Sequence, residues 1–176
     1  MKFIVAHDLN NVIGINGEIP WHFKEDFKFF KRMTSGHVCI MGTRTYEEIM
    51  SRNPNGLSNR TMIVLSRKEI PNVYTMKNVS PEELERLRKH LNLENLDDVF
   101  VIGGSATYQA FLPYCKVLYA TLINKEYSTD ESVNISKFPY SVKFLKRIES
   151  SFVLDRITEN DVELIFNRYD IKSELN

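Results

Sequence analysis

Val99-Phe100-Val101-Ile102-Gly103-Gly104-Ser105-Ala106-Thr107 is the stretch that decides the fold. Its first four residues are apolar, enough for a buried strand and too few for a helix. Two glycines stop that strand, and a helix can begin at once on Ser105. Residues 38–45, Val38-Cys39-Ile40-Met41-Gly42-Thr43-Arg44-Thr45, repeat the device. A strand apolar along its whole length is covered on both faces, and a helix directly after it reads as the crossover of a parallel sheet. Glycine lets a backbone approach a ligand closely, and the first N–H groups of a helix point at any anion above the strand end. Two such junctions at one sheet edge suit the two phosphates of a dinucleotide. The second lacks GxGxxG, so this is not the Rossmann fingerprint, and each junction taken singly is also an ordinary connector.

Outward from these junctions the same alternation continues. Residues 3–6 read as a strand, followed by a loop with Gly and Asn over 8–22 and a helix over 24–34. The helix after Gly42 runs from 43 to about 50, residues 62–65 form a third strand, and 74–76 a short fourth. Ser80-Pro81-Glu82-Glu83 is a helix start with a serine cap, proline at the first position and glutamate three residues on. Leu84, Leu87 and Leu91 give that helix its apolar stripe. The helix after Gly104 reaches about Leu112, residues 116–123 return to strand, and 152–157 with 162–169 read as a hairpin turning over 158–161. The expected fold is α/β: a single-domain, mainly parallel central sheet with an antiparallel C-terminal hairpin and helices on both faces, over residues 1–176.

Composition narrows the partners. The 176 residues are 43% hydrophobic and 26% charged, with 23 basic and 23 acidic side chains. Zero net charge gives no global field for nucleic acid or an anionic membrane, so any anion site is local and neither is an expected partner. No apolar run approaches the ~18 residues of a membrane span, and residues 1–9 are too short for a signal peptide. A cytoplasmic monomer is the expectation. Cys39 and Cys115 form no CxxC pair and read as free, buried thiols. His7, His22, His37 and His90 have no zinc-ligand spacing, so no metal is expected.

Asp26 breaks an otherwise regular pattern. With ~100° per residue, Phe23, Phe27, Phe29, Phe30 and Met33 fall around it, and Lys24, Glu25, Lys28, Lys31 and Arg32 fall opposite. An ionised carboxylate facing an apolar interior costs several kcal/mol unless it is paired or its pKa rises. Either a partner awaits it, protein or ligand, or it serves the helix start as a cap. Ser66-Arg67-Lys68, directly after the third strand, suits a monoester phosphate such as the 2′-phosphate of NADP, or is a solvated basic loop. Arg60 suits a carboxylate in bidentate fashion, or is a surface arginine.

Taken in order, these residues closely resemble the dihydrofolate reductase family. Val12-Ile13-Gly14 through Ile19-Pro20-Trp21, then Asp26, Phe30-Lys31-Arg32 and Thr34, resemble its active-site loop and acidic helix. Residues 38–42 with Arg44-Thr45-Tyr46-Glu47 resemble a second block. Val101-Ile102-Gly103-Gly104 with Tyr108 resembles a third. Arg60 before Met62-Ile63-Val64-Leu65-Ser66, and Tyr119 with Thr121, stand where further family contacts lie.

The resemblance implies NADPH-dependent reduction of 7,8-dihydrofolate, with hydride transfer to pterin C6 and protonation at N5. It implies that Asp26, supported by Thr121, holds the pterin 2-amino group and N3, and that Trp21 and Ile19 complete the catalytic group. Val5, Ala6, Phe27, Phe30, Ile49, Leu57 and Ile102 would wall the substrate slot, and Arg60 would hold the glutamate carboxylate of its tail. Ala6, Ile13, Gly14 and Ile19 would border the nicotinamide. Gly42, Arg44 and Thr45 would meet the pyrophosphate at one helix start. Gly103, Gly104, Ser105, Ala106, Thr107 and Tyr108 would meet it at the other. Ser66, Arg67 and Lys68 would surround the 2′-phosphate, and Leu65 would also contact the cofactor. The family's counterpart of Gly103-Gly104 is a cis peptide. Thr43 and Ala106 depart from the family, standing where relatives often carry cations. A pyrimidine reductase of the same fold would share the glycine junctions without needing Asp26 and Trp21. A catalytically idle binding protein would not need Asp26, Trp21, Arg60 and Thr121 together.

Overall fold

The apolar runs of the chain become the interior of one twisted sheet in the computed structural model, which describes residues 1–127 and 133–174. In chain order the elements are β1 (Lys2–His7), β2 (Val12–Ile15), α1 (Lys24–Thr34), β3 (Val38–Gly42), α2 (Thr43–Arg52), β4 (Thr61–Leu65) and β5 (Tyr74–Met76). There follow α3 (Pro81–His90), β6 (Phe100–Gly103), α4 (Ser105–Phe111) with a 3-10 turn at Leu112–Tyr114, and β7 (Val117–Ile123). The last are β8 (Ile135–Lys137), α5 (Val142–Leu145), β9 (Ile148–Glu159) and β10 (Val162–Ile171). Eight strands form one sheet in the order β5-β4-β3-β6-β1-β7-β10-β9. The pairs from β5 through β7 are parallel, while β10 joins β7 and β9 antiparallel. The α/β class and its antiparallel C-terminal edge are therefore as the sequence implies.

Strand periodicity sorts the core into two layers. Phe3, Val5, Ile40, Ile63 and Val101 point to one face, where they meet Leu84 and Leu87 of α3 and Tyr108 and Phe111 of α4. Ile4, Cys39, Met41, Val64 and Phe100 point to the other, against Trp21, Phe29 of α1 and the flank of α2 at Tyr46 and Ile49. Ser80 caps α3, its hydroxyl accepting from the Glu83 N–H at 3.2 Å. Asn160 and Asp161 both take positive φ, 51° and 62°, the two-residue turn whose twist matches a hairpin. This ties β9 to β10 along a length greater than the sequence expectation.

One expected loop contains a strand. Within residues 8–22, β2 pairs antiparallel with β8, so the loop is tied to a segment far along the chain. Val12-Ile13-Gly14-Ile15 has no polar alternation and includes glycine, so its strand character exists only with its partner present. The short β8 escaped the sequence for the same reason, and α5 is a single turn capped by Ser141, too short to show a helical period. Asp8 fixes the start of this loop: fully buried, it accepts from the Asn10 and Val12 N–H groups at 2.8 and 2.9 Å and from the Tyr127 N–H at 3.0 Å.

Candidate active site

β3 and β6 are neighbours in the sheet, so the two strand–glycine–helix junctions lie side by side. Their approach is close. A Cβ on Gly42 would stand 2.6 Å from the Thr107 hydroxyl oxygen, so a side chain at 42 would force the two helix starts apart. Gly103 has φ of +130°, open to glycine and strained for other residues, and the Gly103–Gly104 peptide is cis. Above these junctions, at the carboxyl edge where open α/β sheets bind ligands, lies a cavity of about 780 Å³.

The cavity gathers residues from across the chain. Val5 and Ala6 come from β1, Ile13 and Gly14 from β2, Ile19 and Trp21 from the loop after it, and Asp26, Phe27 and Phe30 from α1. Gly42, Arg44, Thr45 and Ile49 come from β3 and α2, Leu57 and Arg60 from the following loop, and Ile102 through Tyr108 and Thr121 from β6, α4 and β7. Trp21 is buried and its ring lies 5.1 Å from that of Tyr127. Phe27, at the mouth, has its ring 5.0 Å from that of His22 and tilted to it by 46°. The buried Tyr108 hydroxyl donates to the Ile4 carbonyl at 2.6 Å, so it braces the wall and has no free proton to offer inward.

Asp26 lies among the apolar walls of the cavity, whose other acids are the exposed Glu18, and Glu48, which pairs with Arg52 at 3.0 Å. The Thr121 hydroxyl donates to its carboxylate, yet burial dominates and pushes the carboxyl up to about 6, with the Glu159 charge acting in the same direction. Asp26 does not cap its own helix. The N–H groups of Lys24 and Glu25 donate to the Glu159 carboxylate at 2.7 and 3.3 Å, leaving Asp26 free to face the cavity. No basic side chain among the described residues forms an ion pair with it. A cationic or hydrogen-bond-donating ligand completes such a site.

At the far end, the Arg60 Nε donates to the Ser58 carbonyl at 2.9 Å and its Nη1 to the Thr34 hydroxyl at 3.2 Å. The guanidinium lies 5.7 Å from the Phe30 ring centre. Burial lowers its pKa, and no acid among the described residues forms an ion pair with it. It is held in place with charge to spare for a carboxylate.

Leu65, Ser66, Arg67 and Lys68 do not line the cavity. They form an open cleft beyond it, with Thr43, Lys77, Asn78, Val79 and Ala110. Thr43 borders both spaces. Arg67 and Lys68 are exposed and, among the described residues, carry no ion pair. Lys77 was absent from the sequence reading. It follows β5, which runs parallel to β4 with Met76 opposite Leu65, and that register brings it beside Ser66. Cys39 and Cys115 are free and buried, each thiol pushed up to about 12 by burial. His7 bonds Tyr140 at 3.1 Å, and burial lowers its pKa.

Comparison with known proteins matches this arrangement. The sequence profile of dihydrofolate reductase aligns with residues 1–165. The dihydrofolate reductase of Bacillus subtilis is 35% identical over 131 residues, 74% of this chain and 73% of its own. This chain belongs to the dihydrofolate reductase family. The Staphylococcus aureus reductase is 30% identical over 131 residues, 74% and 75% of the two chains. An Enterococcus faecalis dihydrofolate reductase, solved with NADP(H) and RAB-propyl, superposes with a TM-score of 0.71 at 27% identity, covering 97% of this chain and 95% of that one. Within this reductase fold, the sequence had missed the Glu159 cap and Lys77. Neither carries a local signal, since each reaches the site through strand pairing.

Proposed function

We propose that the Asp26 cavity is the dihydrofolate site and the Arg67 cleft the 2′-phosphate site of a reductase that converts 7,8-dihydrofolate to tetrahydrofolate with NADPH. One observation carries this reading: the cavity holds a carboxylate with raised pKa and an arginine, and among the described residues neither forms an ion pair. A flat, donor-bearing pterin with a carboxylate tail complements both ends. NADPH supplies a hydride from its nicotinamide ring.

The chain's own residues do the remainder. Asp26 accepts from the pterin 2-amino group and N3, with the Thr121 hydroxyl fixing its orientation. Its negative charge raises the basicity of N5. N5 takes its proton from a water admitted beside Ile19, since Asp26 touches the opposite edge of the ring. Val5, Ala6, Ile49, Leu57, Ile102, Phe27 and Phe30 exclude water and hold the reacting faces together, which is where most of the acceleration arises. The loop carrying Ile13, Gly14, Ile19 and Trp21 closes over the reaction.

The cofactor's phosphates fit the donors available. The helix start at Thr43 and the exposed Arg44 suit the pyrophosphate, as does the turn through Gly104 and Ser105. Ser66, Arg67, Lys68 and Lys77 suit the 2′-phosphate, supplying cations that Thr43 and Ala106 do not. We place the protein in the cytoplasm as a single-domain monomer with no nucleic-acid or membrane partner. Among the described residues no helix is long and apolar enough to cross a membrane. Oxidation of NADPH followed at 340 nm, roughly where reduced nicotinamide absorbs, tests the activity. Consumption that depends on dihydrofolate supports it. A protein that binds NADPH but leaves dihydrofolate unreduced overturns it.

A further inference from the structure

α1 starts on Phe23, whose side chain offers no oxygen to the first helical N–H groups. Those groups are satisfied from the other end of the chain. Glu159 Oε2 accepts from the Lys24 N–H at 2.7 Å and its Oε1 from the Glu25 N–H at 3.3 Å. Glu159 is the last residue of β9, opposite Val162 at the tip of the C-terminal hairpin. Asp26 occupies the third helical position, from which an acid ordinarily reaches back to the helix start. With Glu159 already there, the Asp26 carboxylate is left to Thr121 and the cavity.

We propose that Glu159 is a positioning residue for Asp26: it docks the start of α1 on the hairpin tip, sets where the Asp26 carboxylate lies, and places a second negative charge near it. The inference rests on the reading of Asp26 as the pterin's partner. It makes the C-terminal hairpin part of the substrate site, although no residue of β9 or β10 lines the cavity. The charges around the pair are few. Thr121 of β7 faces Asp26, and Lys28 of α1 senses Glu159 while pairing with Glu25 at 2.8 Å. The buried Tyr108 of α4 feels the Asp26 charge, and the other charged residues on the cavity wall are Glu18, Lys31, Arg44, Glu48, Arg52 and Arg60.

The test uses full-length Glu159→Gln and Glu159→Ala proteins. Two readouts serve: the pH profile of kcat/KM for dihydrofolate, and dihydrofolate binding by quenching of Trp21, the single tryptophan. Glu159→Gln keeps an acceptor for the helix start and loses the charge. Its affinity should stay within about twofold of the parent, while the profile limb reporting Asp26 moves to lower pH by a few tenths of a unit. Glu159→Ala should show the same shift and bind dihydrofolate about fivefold more weakly, the size of a lost helix cap. NADPH affinity should be unchanged in both. The pH shift should vanish when Asp26→Asn is also present. Should the alanine protein not fold, Glu159→Asp decides: it keeps the charge and the limb, but the shorter arm weakens dihydrofolate binding. An unmoved limb in Glu159→Gln overturns the proposal. By contrast, full turnover in Asp26→Asn would overturn the reading of Asp26 and leave the cap standing.

Discussion

The cavity around Asp26 and the cleft around Arg67 lie at the same carboxyl edge of one sheet and share Thr43 as a border. In the cavity, the charge that decides is enclosed. The Asp26 carboxylate is pushed up to about 6, since burial leaves little water to stabilise its anion. In the cleft, Arg67 and Lys68 stand exposed and without ion pairs among the described residues. Water screens them, so their charge is inexpensive until an anion brings several together. An enclosed charge selects by being unsatisfied, an exposed cluster by being multiply charged. The first should govern chemistry and pH dependence, the second cofactor choice.

Asp26→Asn should break the comparison most visibly. Turnover of dihydrofolate at neutral pH should fall by about two orders of magnitude or more, with less of a deficit at low pH, where N5 gains its proton from solvent. NADPH affinity should barely change. Stability should stay level or rise. A carboxyl raised from 3.8 to about 6 on folding destabilises the ionised protein by at most about 3 kcal/mol. In the wild-type protein this penalty is therefore absent below pH ~4, grows as pH rises from there and is complete above about 6, whereas the asparagine protein carries none. Thermal unfolding across pH 4–8 should show the variant's advantage growing with pH. A less stable Asp26→Asn with normal turnover would make Asp26 structural.

Arg67→Ala probes the cleft. Preference for NADPH over NADH should narrow by about tenfold or more, as a charge-assisted bond to phosphate is worth roughly 1.5–3 kcal/mol. KM for dihydrofolate should hold steady. Equal use of both cofactors by the unmodified protein would remove the cleft from the argument. Arg60→Ala, at the tail end of the cavity, should raise KM for dihydrofolate several-fold with a smaller effect on kcat. A pterin lacking the glutamate tail should be reduced almost as before, and an equal loss with both substrates would mark Arg60 as a brace for Thr34 and Ser58. The smallest effect belongs far from either space. Ser80→Ala removes the α3 cap and should cost about 1 kcal/mol in chemical denaturation while leaving both Michaelis constants alone.

Periodicity and punctuation in the sequence were enough for the sheet, the two glycine junctions, the α3 cap and the odd placement of Asp26. These are local properties: strand length, a stop, a cap, and one acid on an apolar helical face are each read within a dozen residues. Chain folding was needed to show that β2 lies inside the supposed loop, that Lys77 stands beside Ser66, and that Glu159 rather than Asp26 serves the start of α1. Each of these depends on a pairing between distant segments, where the free energy belongs to the partners jointly and leaves no mark on either alone. Asp26 is the instructive case. Its sequence position left open whether it capped a helix or awaited a ligand, because both readings place an acid in the first turn. The 135 positions separating Lys24 from Glu159 close that choice, since the acceptor that takes the helix's N–H groups arrives only when the C-terminal hairpin docks.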